Sequence, residues 1–139
     1  MSPGLSCMNK ELREEFKKLG ILIIYFFSSR AVGRESPLSD IDIGIVLKTP
    51  PLNIDTRALY NKLFELFSEL YPDSKVDIVF LQTAPLALQF FAIKEGKILW
   101  EGDARFTADY EDLVIQQYLD FKPVLDIFDR AAEERYAKA

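Results

Sequence analysis

Apolar residues recur along this chain in two rhythms, one of about three to four positions and one of unbroken runs, and the alternation between them sets out the predicted elements. Leu12, Phe16 and Leu19 line one side of a helix that Asn9 can cap, with Lys17 and Lys18 in its last turn and Gly20 at its end. Ile21 to Phe27 is apolar at every position and rich in β-branched and aromatic residues. That composition predicts a strand buried on both faces, hence a central one. Ser36-Pro37-Leu38-Ser39 reads as a loop, and Asp40 to Leu47 as a second strand closed by Pro50 and Pro51.

The helical rhythm returns after Asn53 or Asp55, either of which can cap a helix reaching to about Leu70. Leu59, Leu63, Leu66 and Leu70 form its stripe, broadened by Tyr60, Phe64 and Phe67. Tyr71-Pro72-Asp73-Ser74 is a turn, and Lys75 to Leu81 a third strand. Thr83 is expected to cap the next helix, with Pro85 in its first turn, Leu86, Phe90 and Ile93 apolar, and Gly96 as its stop. Lys97 to Trp100 makes a short last strand. Beyond Gly102 the pattern is helical to the end, and Pro123 is expected to divide that stretch into two helices.

This order predicts a fold of the α/β (α+β) class: a mixed, partly antiparallel β-sheet backed by helices, with C-terminal helices added. The link between the first two strands is too short for a crossover helix, so they are expected to be antiparallel. At 139 residues a single domain is expected, its core about 9–101 and its helical extension about 103–139.

Composition narrows the chemistry. Hydrophobic residues make up 49% and charged residues 28%, which is globular. Lys and Arg number 17 against 22 Asp and Glu, a net charge of -5, so the basic face that grips long nucleic acid is not expected. The absence of histidine removes Ser-His-Asp and Cys-His schemes and any His-ligated zinc, and the lone Cys7 has no internal disulfide partner. No apolar run is long enough to span a bilayer, and no signal-type segment opens the chain, so no membrane association and a cytoplasmic location are expected.

The anomaly in the pattern is a pair of acids at the head of the second strand. Side chains alternate along a strand, so Asp40 and Asp42 share one face while Ile41, Ile43 and Ile45 pack on the other. Two residues of rise separate their Cα atoms by about 6.6 Å. Asp77, inside the apolar run Val76-Asp77-Ile78-Val79-Phe80, completes a three-carboxylate cluster if the third strand lies beside the second. Such a cluster calls for a cation, and oxygen ligands without Cys or His select Mg²⁺ or Mn²⁺. Transfer at phosphorus with two metal ions is the chemistry that suits it. The turn Ser28-Ser29-Arg30-Ala31-Val32-Gly33 leaves the first strand with backbone amides and hydroxyls that can hold a phosphate chain. Arg30 and Arg34 read either as added phosphate contacts or as solvated loop charges. The aromatics at Tyr60, Phe64, Phe67, Phe90 and Phe91 read as core.

Taken together these residues resemble a known motif. Ser28-Ser29, the ten residues Arg30 to Ser39, then Asp40-Ile41-Asp42 has the spacing found in DNA polymerase β-like nucleotidyltransferases. Within them the chain is most similar to the minimal nucleotidyltransferases (MNT), through Ala31, Gly33, Ser39, Asp40, Ile41 and Asp42, with Asp77 in the place of the third carboxylate. The segment Pro85 to Gly102 is also similar, and the resemblance covers roughly Leu12 to Glu101.

The resemblance implies transfer of a nucleoside monophosphate, often AMP from ATP, to a hydroxyl. Asp40 and Asp42 would hold both Mg²⁺ ions. Asp77 would bind the catalytic ion and help deprotonate the acceptor, while Ser28, Ser29, Arg30 and Gly33 would form the nucleotide-holding turn. It further implies an antitoxin role toward a HEPN-domain RNase toxin, modified on tyrosine. Ser28 departs from the motif's glycine and brings a Cβ toward the phosphates. Three readings follow: a transferase, a module that silences its partner by contact alone, and a carboxylate-metal phosphohydrolase. The C-terminal helices leave a homodimer or toxin interface open.

Overall fold

The computed structural model describes the backbone of residues 10–28, 41–51 and 55–137, and side chains within these as far as 122. Cys7, Asn9, Ser29, Arg30, Ala31, Gly33, Arg34, the 36–39 loop, Asp40 and Asn53 lie outside the described residues.

The first helix, α1 (Lys10–Lys18), buries Phe16 completely and packs Leu12 and Leu19 against the same core. Gly20 ends it with φ +76, a left-handed conformation that glycine adopts without a Cβ penalty. Its carbonyl accepts a hydrogen bond from Lys48 N at 2.8 Å, tying this turn to the far end of the second strand. The chain then enters β1 (Ile21–Phe27) and, after the undescribed link, β2 (Ile41–Leu47), which pair antiparallel as the short connection requires.

Next come α2 (Arg57–Leu70) and β3 (Val76–Phe80), and β3 lies parallel to β2. With β4 (Lys97–Glu101) antiparallel to β1, the sheet order is β3-β2-β1-β4. The second strand is buried at every position, the mark of a strand covered on both faces.

Two apolar clusters explain that burial. On one face Ile41, Ile43, Ile45, Val76 and Ile78 meet Phe16 of α1 and Leu63 and Phe67 of α2. On the other, Ile23, Tyr25, Phe27 and Val46 meet α3 (Leu86–Glu95) and the last helix, α4 (Ala104–Ala137), through Leu88, Ala92, Tyr110 and Val114. Helices therefore cover both sides of the mixed sheet. No helix among the described residues is long and apolar enough to cross a membrane.

Three local expectations are corrected or refined. Asp55 serves α2 from just outside it, its Oδ1 accepting the Arg57 amide at 3.0 Å, while Thr56 at the cap position makes no side-chain bond. Thr83 does not cap α3. It closes a short 3₁₀ turn (Leu81–Thr83), and its hydroxyl donates back to Phe80 O at 3.2 Å, so α3 opens from Pro85 instead. Finally, Pro123 does not divide the C-terminal region, since α4 runs as one helix through it. Proline costs one intrahelical bond and a local clash, about 3 kcal/mol. Helical bonds on both sides outweigh that penalty.

Candidate active site

The sheet register decides which acids meet. Asp42 stands opposite Phe27 on β1 and opposite Asp77 on β3, and partners in register point to the same face. Strands in a sheet lie about 4.8 Å apart, which puts the two carboxylates side by side. Asp42 is only 3% exposed, the single polar side chain in a strand whose other residues are Ile, Val, Leu and Gly44. The isoleucines at 41, 43 and 45 bury on the α1–α2 side, which leaves Asp42 on the opposite face with Gly44 and Val46. A hydrogen bond from Ile41 N to Lys75 O at 3.1 Å fastens the head of β2 to the chain entering β3.

Gly44 shapes the floor of this site. A Cβ there would stand 2.8 Å from Leu81 Cδ1 and 3.0 Å from Phe27 Cε1, so both apolar side chains fill the space that a larger residue would need. Phe27 is held in turn by an edge contact with Phe91, ring centroids 6.2 Å apart. Two neighbouring carboxylates repel one another, and a cation between them relieves that repulsion. The donors are oxygens alone, so this pair fits a hard dication such as Mg²⁺ or Mn²⁺. Among the described residues no group of three metal-ligating side chains forms. Asp40, expected as the third, lies outside them, as do Ser29, Arg30 and Gly33 of the phosphate-holding turn.

Ser28 is described, half-buried at the exit of β1 directly after Phe27. Among the described residues none other than glycine has a positive φ, so Ser28 keeps a backbone that any residue adopts. The position does not call for glycine on conformational grounds.

Tyr60 belongs to the site although its place in an apolar stripe gives no sign of it. From α2 its hydroxyl donates to Asp77 Oδ1 at 2.8 Å, and the same oxygen accepts the Ile78 amide at 3.0 Å. Burial, and then the Asp77 hydrogen bond, raise the Tyr60 hydroxyl above its ordinary pKa. The only hint in the sequence is a hydroxyl-bearing aromatic one turn before Phe64, and its partner comes from another element.

Comparisons with known proteins bear on the family and the fold. The family described as "Polymerase beta, Nucleotidyltransferase" matches residues 10–105. No curated protein matches the chain. Among solved structures, the chain is similar to one in the toxin-antitoxin with AMP-PNP, at TM-score 0.59 and 23% identity, covering 100% of both chains. It is also similar to one in the tri-AMPylated Shewanella oneidensis HEPN toxin in complex with MNT antitoxin. There the TM-score is 0.57 and identity 22%, over 95% of this chain and 100% of that one. A third is in the toxin-antitoxin MntA-HepT, with TM-score 0.55, 21% identity, and 94% and 100% covered. At these identities the likeness is one of fold.

Proposed function

The chain belongs to the polymerase β nucleotidyltransferase family, and from that premise we propose that it transfers AMP from ATP to a hydroxyl of a partner protein. The observation that carries this reading is the register pairing of the buried Asp42 with Asp77 on neighbouring parallel strands. Mg²⁺ or Mn²⁺ held by Asp40, Asp42 and Asp77 would supply the positive charge that phosphoryl chemistry needs.

Asp77 accepts the proton of the acceptor hydroxyl as its oxygen bonds to the α-phosphorus and the bond to pyrophosphate breaks. Ser28, Ser29, Arg30 and Gly33 hold the β- and γ-phosphates. The ordinary backbone of Ser28 supports this role over that of a module acting by contact alone.

The partner we propose is a HEPN-type toxin, met in the cytoplasm where ATP is supplied, with the protein as its antitoxin. Structures of similar fold support that choice, since one holds a tri-AMPylated HEPN toxin with an MNT antitoxin. The test is incubation of the chain with labelled ATP, Mg²⁺ and a HEPN-domain protein encoded beside it. The partner should become labelled, and Asp42→Asn should abolish the label. Persistent labelling by that variant rejects the site, and silencing of the toxin without ATP rejects transfer in favour of contact.

A further inference from the structure

The Tyr60 hydroxyl reaches Asp77, a proposed metal-binding carboxylate, and the packing of α2 holds it there. The tyrosine ring packs against the core cluster beneath α2, and Phe64, exposed one helical turn on, only flanks it with ring centroids 6.2 Å apart. Leu63 and Phe67, both fully buried, anchor the helix that carries it. The hydroxyl is thus presented to Asp77 by a braced element.

The two donors converge on one oxygen. Asp77 Oδ1 takes the Tyr60 hydroxyl and the Ile78 amide, whereas no donor among the described residues meets Oδ2. A carboxylate with one oxygen doubly bonded in this way cannot rotate without losing both contacts. Register with Asp42 places the Asp77 side chain on the Asp42 face of the sheet.

We infer that Tyr60 is a positioning residue, which clamps Oδ1 of Asp77 so that Oδ2 is aimed at a divalent cation shared with Asp42. This rests on the metal reading proposed above. Partners that orient a metal ligand are commonly worth 10- to 100-fold in metal affinity.

Mn²⁺ binding to the full chain, measured by electron paramagnetic resonance with a non-hydrolysable ATP analogue present, tests the inference without relying on turnover. Tyr60→Phe keeps the ring and its packing, and should weaken Mn²⁺ binding about 10-fold. Phe64→Leu removes the flanking ring but keeps the hydroxyl, and should leave affinity close to that of the unaltered chain.

Equal Mn²⁺ affinity in Tyr60→Phe and the unaltered chain overturns the inference while leaving the metal site standing. An equal loss in both variants also overturns it, because packing alone would then account for the effect. An unaltered chain that binds no Mn²⁺ rejects the metal reading and takes this inference with it. Intact-mass measurement after incubation with ATP and Mg²⁺ adds a last check. A nucleotidyl adduct that disappears in Tyr60→Phe would make Tyr60 an acceptor and reject its positioning role.

Discussion

Tyr25, in the middle of the central strand, donates its hydroxyl to Glu111 Oε2 of α4 at 2.6 Å, joining the sheet to a helix 86 residues further along the chain. The tyrosine is 1% exposed, so its hydroxyl depends on that carboxylate for a partner. A second bond, from Tyr110 to Gln89 Oε1 at 2.9 Å, fastens α4 to α3. The C-terminal helix is therefore held by part-buried polar contacts as well as by the apolar cluster around Val114.

Tyr25→Phe should destabilise the fold by about 1–3 kcal/mol, since it leaves a part-buried carboxylate without its donor. Its effect should also change with pH. Burial first, and Glu111 second, raise the Tyr25 hydroxyl well above its ordinary value of 10.0, and burial raises Tyr110 likewise. Both then stay protonated in the folded chain while the unfolded chain ionises. Their stabilising contribution is complete below pH 10 and is lost as pH rises above it. Urea midpoints from pH 8 to 11 should fall steeply for the unaltered chain and less steeply for Tyr25→Phe.

At the other end of the pH scale, the side chains of Lys62 and Glu15 form an ion pair linking α2 to α1. The hydrogen bond and charge of Lys62 lower the Glu15 carboxyl below its ordinary value of 4.5. The contribution is present above pH 4.5 and disappears as pH falls through the lowered folded value. Lys62→Met should raise the pH of acid unfolding slightly. At this exposed position 1 M salt should shrink the difference between the two proteins.

Asp42 and Asp77 stand out in the sequence because strands alternate and because acids are conspicuous among isoleucines. The Asp42–Asp77 pairing needs the strand period, which apolar runs give, and the adjacency of β2 and β3, which stood only as a condition until the sheet order supplied it. The antiparallel β1–β2 pair followed from a link too short for a crossover. Contacts set by tertiary placement were not legible. Tyr60 and Glu111 carry hydrogen bonds to other elements, and periodicity assigns a residue to a face without naming its partner. Pro123 misled because a local penalty was set against nothing, whereas the helix gains a bond at each residue beyond it.

Metal binding should be visible in stability. A ligand that binds only the folded state adds about 2.7 kcal/mol at a concentration of 100 times its Kd. Mn²⁺ with a non-hydrolysable ATP analogue should raise the melting temperature of the unaltered chain, and Asp42→Asn should erase that rise. A thermal shift that survives in Asp42→Asn would place the ion elsewhere.

Gly44→Ala tests the floor beneath Asp42. The added Cβ falls 2.8 Å from Leu81 Cδ1 and 3.0 Å from Phe27 Cε1, below ordinary contact, and both side chains are buried. Overpacking of this kind costs about 1–3 kcal/mol. In a Leu81→Val background the cost should shrink, because part of the obstructing side chain is gone. Denaturant curves for the two single variants and the double variant would show this as non-additivity. Strict additivity would mean that Leu81 is not what the new methyl meets.

Gln82 separates stability from the site. Its amide takes the Leu47 N–H at 2.8 Å and donates to the Leu47 carbonyl at 2.9 Å, completing the hydrogen bonding of β2 at its C-terminal end. Leu47 is 7% exposed, so water does not readily replace these bonds. Gln82→Ala should cost about 1–3 kcal/mol through the orphaned backbone groups. Gln82→Glu keeps the acceptor and loses the donor, so it should cost less. Asp42 lies near the opposite end of the strand, about 17 Å away at the usual rise per residue. Mn²⁺ affinity should therefore be unchanged in both variants under conditions where they remain folded. A parallel loss of affinity and stability would show that the far end of β2 governs the register of the two carboxylates.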